Sequence, residues 1–260
     1  MTEEKKDYAK ESGHWYAQDG SPRYSIMAKN GNERTVTLRD ARKENLVPSV
    51  TSVLSILDKP GLNRWKENQV LMSALTLPKI EGESLDEFSV RVKEDSRKQS
   101  EQARDKGTFI HGQVEKYFKN TSCDPEYQPL CTLVDYEISE AFKEPYAFNT
   151  ERSFSHKDGY GGKTDLFSTD FDGIVIDFKT TEFTADNLPP GWPEQCWQLA
   201  AYRHGLNMPE ARAANVYIST SVENLVHVRK WSNDELNSGL EVFLAALELW
   251  KRIKKYRSEY

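Results

Sequence analysis

Apolar and polar positions alternate through Tyr24, Ile26 and Ala28, between turns at Asp19–Pro22 and Asn30–Asn32, which predicts a short hairpin. After Pro48 the spacing becomes helical. SVTSVLSIL, then a break at Pro60–Gly61, then LNRWKENQVLMSAL read as two short helices. Ser84-x-x-Glu87 has the capping-box pattern and opens further helical segments. Gly107 is expected to interrupt them, with a new helix from Thr108 to about Lys119 that offers Phe109, Val114, Tyr117 and Phe118 as apolar surface. Residues 121–130 read as a loop, and residues 132–143 as another helix.

Strand signals then cluster at Thr150–Ser155, Gly162–Ser168 and Gly173–Lys179, with turns at Asp158–Gly159 and Asp172–Gly173. That spacing predicts a tight antiparallel meander. Pro189, Pro190 and Pro193 mark a loop before a helix over Glu194–Leu206. Two strands follow, Ala213–Thr220 and Leu225–Lys230. A last helix begins at a second capping box, Ser232-x-x-Glu235, with Leu236, Leu240, Phe243, Leu247 and Trp250 at helical spacing. Helices, three strands, a helix, two strands and a helix make an α/β chain, without internal repeats or low-complexity tracts.

At 260 residues the chain is long for one average domain and short for two. We read residues 1–48 as an N-terminal elaboration and 49–260 as the domain proper. Hydrophobic residues at 37% and aromatics at 11% supply a core, so wholesale disorder is excluded. No run of about 18 apolar residues exists to span a membrane. The opening MTEEKKDYAKESGHWYAQDG lacks the apolar segment of a secretory signal, and three cysteines are too few for a disulfide scaffold, so a reducing cytoplasm is the expected location. The net charge of −6 argues against a general nucleic-acid coat protein. It leaves open an enzyme that gathers carboxylates around metal ions and cations along a groove.

The chemistry concentrates in GYGGKTDLFSTDFDGIVIDFKTTE, residues 159–182. Strand alternation puts Asp177 and Lys179 on one face and Ile176 and Phe178 on the other. A turn at Asp170–Gly173 brings Asp165, on the preceding strand, alongside that pair. Two carboxylates suit a hard cation such as Mg²⁺ or Mn²⁺, which polarises a phosphate oxygen and supplies a deprotonated water. A neighbouring lysine positions that water or stabilises charge on the phosphorane. A surface salt bridge between Asp177 and Lys179 on an edge strand is the plainer reading of the D-x-K motif alone. Two further pairs flank it. His111 and Glu115 share a helix face and suit a metal or its water, or else form an exposed polar face. Gln198 and Tyr202, also four apart, suit a nucleotide, the amide bonding phosphate or a base edge and the ring stacking.

In this order and spacing, GTFIHGQVE, GGKTD, DFKTT and QLAAY resemble the PD-(D/E)XK nuclease superfamily, in its RecB-like exonuclease branch, over about residues 49–230. That branch is similar to phage exonucleases and the mitochondrial genome maintenance exonuclease. The resemblance implies a restriction-endonuclease-like core in α-β-β-β-α-β order: a central mixed sheet with an antiparallel meander, flanked by helices. It implies His111, Asp165 and Asp177 as metal ligands, with the backbone carbonyl of Phe178 a further one. Lys179 is then the catalytic lysine, Glu115 an acidic position used by some members, and Gln198, Tyr202 and Thr180 contacts to substrate. PSVTSVL, Pro48–Leu54, resembles the opening of many phage-encoded members, where it precedes a Trp such as Trp65.

The iron–sulfur subset of the branch needs four cysteines, whereas Cys123, Cys131 and Cys196 are three and none follows residue 196, so no cluster is expected. The cysteines read as small packing residues. KRIKKYR, Lys251–Arg257, reads equally as a solvated helix end or a strip contacting phosphates. His14, Trp15 and Tyr16 either cover a cleft or pack a hairpin on the core. The expected function is thus a Mg²⁺- or Mn²⁺-dependent deoxyribonuclease, an exonuclease acting on DNA with a free or single-stranded end. A phage-type setting of replication, recombination or repair in a bacterial cytoplasm is implied, with a recombination or single-strand-binding protein as partner and no membrane. The alternative is a non-cleaving or partner-restrained nucleic-acid-binding module on the same fold.

Overall fold

The computed structural model describes residues 14–256, so residues 1–13 of the N-terminal elaboration and Arg257 of the basic run lie outside the described residues. The chain forms two compact units, one of the residues up to Leu57 together with Gln113 onward, the other of Asp58–Gly112. The first unit opens with β1 (Trp15–Tyr16), β2 (Ser25–Met27), β3 (Glu33–Thr35), α1 (Leu38–Lys43), β4 (Val47–Pro48) and α2 (Val50–Leu54). Strands β2 and β3 make the expected hairpin. Strand β1 pairs with β4 and buries Trp15, whose ring lies 5.4 Å from Tyr256 and 6.0 Å from Trp250. The aromatic start of the chain therefore packs on the core.

The second unit holds α3 (Pro60–Thr76) and the first part of α4 (Leu85–Phe118). Two sequence expectations are corrected here. The two expected helices are present as α2 and α3, but Pro60 is the first residue of α3 rather than part of the break, because a first-turn proline lacks only an N–H that would have no partner. Gly107 does not interrupt α4, which runs unbroken for 34 residues. One interior glycine costs about 1 kcal/mol against alanine, less than breaking the ladder on both sides of it. The Ser84 capping box does form, with the Ser84 hydroxyl donating to Glu87 Oε2 at 2.7 Å and accepting from the Glu87 N–H at 3.3 Å.

The rest of the first unit comprises a 3₁₀ turn (Pro125–Tyr127), α5 (Gln128–Phe142), β5 (Asn149–Thr150), β6 (Ser153–His156), β7 (Tyr160–Lys163) and β8 (Leu166–Ser168). Then come β9 (Ile174–Thr181), α6 (Pro193–Gly205), β10 (Arg212–Ser219), β11 (Val226–Trp231) and α7 (Asn233–Ile253). The fold is mixed α/β. Its central sheet has the order β11-β10-β9-β8-β5, with β9 and β10 parallel across the α6 connection and the other pairs antiparallel. Helix α6 packs on β9 and β10 and is backed by α7. On the opposite face Phe118 stacks on Phe178, and Lys230 of β11 donates to the Ala141 carbonyl of α5 at 2.8 Å.

The expected three-strand meander is present only in part. Its first two strands each break, into β5 and β6 and into β7 and β8, and the β6–β7 arm forms a separate two-stranded sheet. Register is kept across the break, where Glu151 N–H donates to the Asp165 carbonyl and Thr164 N–H to that of Arg152, each at 3.0 Å. Glu151 has φ 53°, a left-handed backbone that a glutamate rarely adopts, and this local twist turns the hairpin out of the sheet.

The turned arm fits beneath α6 because two adjacent glycines stand at the centre of β7. A Cβ at Gly162 would stand 2.8 Å from Tyr202 Cε1 and 2.9 Å from Phe154 Cε1, and one at Gly161 would stand 2.9 Å from the Tyr16 side chain. Gly162→Ala is therefore expected to lower stability by about 1–3 kcal/mol through overpacking. Urea unfolding checks it, and an unchanged midpoint would show that the arm does not press on α6.

Candidate active site

Asp177 lies on β9, a strand paired on both sides, and is only 4% exposed. An edge-strand surface salt bridge is thereby excluded. A buried carboxylate needs donors, and three side chains provide them. Lys179 Nζ lies 2.6 Å from Oδ2, Asn215 Nδ2 donates to the same oxygen at 2.8 Å, and Gln198 Nε2 donates to Oδ1 at 3.1 Å. Strand register explains the first two, since Lys179 shares the face of Asp177 and Asn215 stands beside it on β10.

Asp165 is not inside a strand, as the sequence implied, but in the bend between β7 and β8. The β8–β9 ladder ends at Leu166–Ile176, so the next opposed positions are Asp165 and Asp177. With the ladder broken, Asp165 Oδ2 accepts the Phe178 N–H at 2.8 Å. The kink thus exchanges a strand pairing for a carboxylate aimed at β9. Burial first, and then the charge of Asp177, push the Asp165 carboxyl up to about 7, although Lys179, the Phe178 N–H and Lys163 work the other way. Two carboxylates that cannot both ionise freely are a donor set that a divalent cation would relieve.

Gln198 does not reach outward. Its Oε1 accepts from Lys179 Nζ at 3.2 Å, and its Nε2 also donates to the Tyr202 hydroxyl at 2.9 Å. Tyr202 is 5% exposed, with its ring edge-on to Phe154 at 5.9 Å, so it has no open face on which a base can stack. Burial raises its phenol pKa, which keeps the hydroxyl protonated. The pair was expected to contact substrate. Here it braces Asp177 and Lys179 instead, because α6 packs flat against the sheet. Thr180 is half-buried on the Phe178 face of β9, opposite to Lys179.

Glu115, in the part of α4 that belongs to the first unit, pairs with Lys119. Lys119 reaches Glu151 at 3.1 Å and Lys163 reaches Glu151 at 2.6 Å, so alternating charges lead to the Asp165 kink. Burial of Glu151 opposes its ionisation, yet the hydrogen bonds from Lys163 and Lys119 hold its carboxyl well below the usual range. His111 belongs to the second unit. Sequence reading missed Asn215. It is fully buried, and its Oδ1 accepts from Trp231 Nε1 at 2.8 Å. A lone amide within the apolar run AANVYI was the available signal. The three cysteines are buried and unbridged.

No protein-family model matches the chain, and no curated relative matches it. Among solved structures, a candidate exonuclease from Eubacterium rectale is similar at 12% identity, over 57% of this chain and 67% of that one, with a TM-score of 0.41. An alkaline exonuclease from Laribacter hongkongensis is similar at 12% identity, over 80% of this chain and 91% of that one, with a TM-score of 0.34. At such TM-scores the likeness decides nothing about the site. Its side chains do.

The raised carboxyl has a measurable consequence. Asp165 holds its proton to higher pH in the folded chain than in the unfolded one, so its contribution favours folding at low pH and is lost as pH rises through about 7. In EDTA, Asp165→Asn is expected to lose less stability than wild type between about pH 5 and pH 8. Equal losses in urea unfolding would contradict the crowding of the two carboxylates.

Proposed function

We propose that the chain is a divalent-metal-dependent nuclease that hydrolyses phosphodiester bonds in DNA, with its catalytic core in residues 49–260. The observation that carries this reading is the opposed pair Asp165 and Asp177, with Lys179 2.6 Å from the second carboxylate. Asp165 and Asp177 would hold Mg²⁺ or Mn²⁺, with the Phe178 carbonyl beside them, and His111 keeps the ligand role that the family resemblance assigns. When bound, such a cation polarises a phosphate oxygen and lowers the pKa of water.

The remaining work falls to the chain itself. Lys179 is half-exposed and can turn its ammonium from Asp177 towards a scissile phosphate, where it steadies developing negative charge or takes part in moving the proton of the attacking water. Gln198 bonds both Asp177 and Lys179, so it sets the angle between ligand and lysine. Tyr202 and Asn215 fix Gln198 and Asp177 in turn. We infer exonuclease action on free or single-stranded ends, in phage-type replication, recombination or repair, from the resemblance of the motifs. A non-cleaving or restrained binding module is the second reading, favoured by the closed Lys179–Asp177 ion pair, which occupies an oxygen that a cation needs.

Lys179→Ala is expected to lower the turnover of end-labelled linear DNA by about 10²–10⁴-fold, the usual range for loss of a group that assists proton transfer. Wild type should cut with Mg²⁺ or Mn²⁺ and stop in EDTA. Closed circular DNA run alongside separates exonuclease from endonuclease action. Metal-independent binding without cleavage by wild type would establish the module instead.

A further inference from the structure

A second cluster lies in the first unit, apart from Asp165 and Asp177. His156 ends β6, Asp158 is in the β6–β7 turn, and His204 is on the last turn of α6. Their side-chain ligand atoms all lie within 4.8 Å of one another. Asp158 Oδ2 is 3.4 Å from His156 Nδ1 and 3.9 Å from His204 Nε2. The rings are 4.3 Å apart, centroid to centroid.

Hydrogen bonding fixes which ring nitrogens carry lone pairs. The Tyr160 hydroxyl has one proton and faces two partners, the Ala201 carbonyl at 3.1 Å and His204 Nδ1 at 2.8 Å. A carbonyl only accepts, so both contacts are met when Tyr160 donates to Ala201 and His204 Nδ1–H donates to Tyr160. In the neutral ring the lone pair then lies on His204 Nε2, the atom facing Asp158. His156 Nδ1 accepts the Asp158 N–H at a long 3.3 Å, a weak bond that an ion at this nitrogen would displace. Lys251 donates to the Asp158 carbonyl at 2.8 Å and to Glu248. Two imidazole nitrogens and a carboxylate oxygen thus converge on one point.

We propose that His156 Nδ1, Asp158 Oδ2 and His204 Nε2 form a binding site for a borderline transition-metal ion of the Zn²⁺ type, with water in the fourth position. Imidazole with one carboxylate suits such an ion and not Mg²⁺. Ligand atoms at tetrahedral corners about 2.0–2.2 Å from zinc lie about 3.3–3.6 Å apart, so the 3.4 Å separation fits as it stands, the 3.9 Å one needs a small closure, and the third pair, within 4.8 Å, must close as well. Tyr160 supplies the outer hydrogen bond that orients a ligating histidine. An ion here would tie the β6–β7 turn to α6 two residues beyond Tyr202, and so would stiffen the helix that carries Gln198. The site does not depend on the proposed nuclease chemistry.

The test uses tag-free, metal-stripped Asp177→Asn protein, which lacks a ligand of the proposed Mg²⁺ site, titrated with Zn²⁺ alone. One equivalent is expected to bind, and X-ray absorption at the zinc edge should give a first shell with two imidazoles. Adding Asp158→Asn should weaken binding at least tenfold and remove the rise in melting temperature that zinc produces. Failure to bind zinc, a shell with one imidazole or none, or affinity unchanged by Asp158→Asn would each overturn the proposal. If the double variant does not fold, the first shell of the single variant still decides.

Discussion

Two acidic side chains face each other where the β8–β9 ladder ends, and the surroundings are organised by the cost of holding them there. Asp177 is buried in the interior of the sheet and tolerable only because a lysine, an asparagine and a glutamine all donate to it. Asp165 stands opposite because the hairpin kinks at Glu151, which frees its carboxylate to take the Phe178 N–H. Burial and the charge of Asp177 both push the Asp165 carboxyl up, a crowding that a divalent cation would relieve. A fold stabilised by about 5–15 kcal/mol in total retains such an arrangement only where other packing compensates.

That packing comes chiefly from α6 and what lies on either side of it. Leu199 and Ala201 are fully buried, while Gln198 and Tyr202 point at β9, so one helix face serves both the core and the site. The paired glycines of β7 let the hairpin arm approach that helix, and Tyr16 closes over Gly161 from the N-terminal segment. Tyr256 donates to the carbonyls of Ala41 and Leu46, which holds the end of α7 against the same segment. The position of the site is therefore set by contacts far from it in sequence.

Period and turn chemistry made much of this legible. The alternation of Asp177 and Lys179 against Ile176 and Phe178, the helix carrying Gln198 and Tyr202, and the capping boxes at Ser84 and Ser232 are local properties, and local rules locate them. Properties that depend on the third dimension were hidden. Nothing in GGKTD announces that its strand bends at Asp165, because the twist comes from Glu151 on the partner strand. Gln198 and Tyr202 looked free to meet a nucleotide, since helical spacing gives a shared face without saying what covers it. Asp158 read only as a turn residue, while the histidines that join it are supplied by a strand and a helix almost fifty positions apart.

The central claim is that Asp165 and Asp177 hold one divalent cation between them. Anomalous diffraction from crystals soaked in Mn²⁺ tests it most directly. The account requires a manganese peak within coordination distance of both carboxylates, about 2.0–2.3 Å, with Lys179 withdrawn from Asp177 Oδ2. Manganese bound elsewhere, with the Lys179–Asp177 ion pair intact at saturating metal, would contradict it.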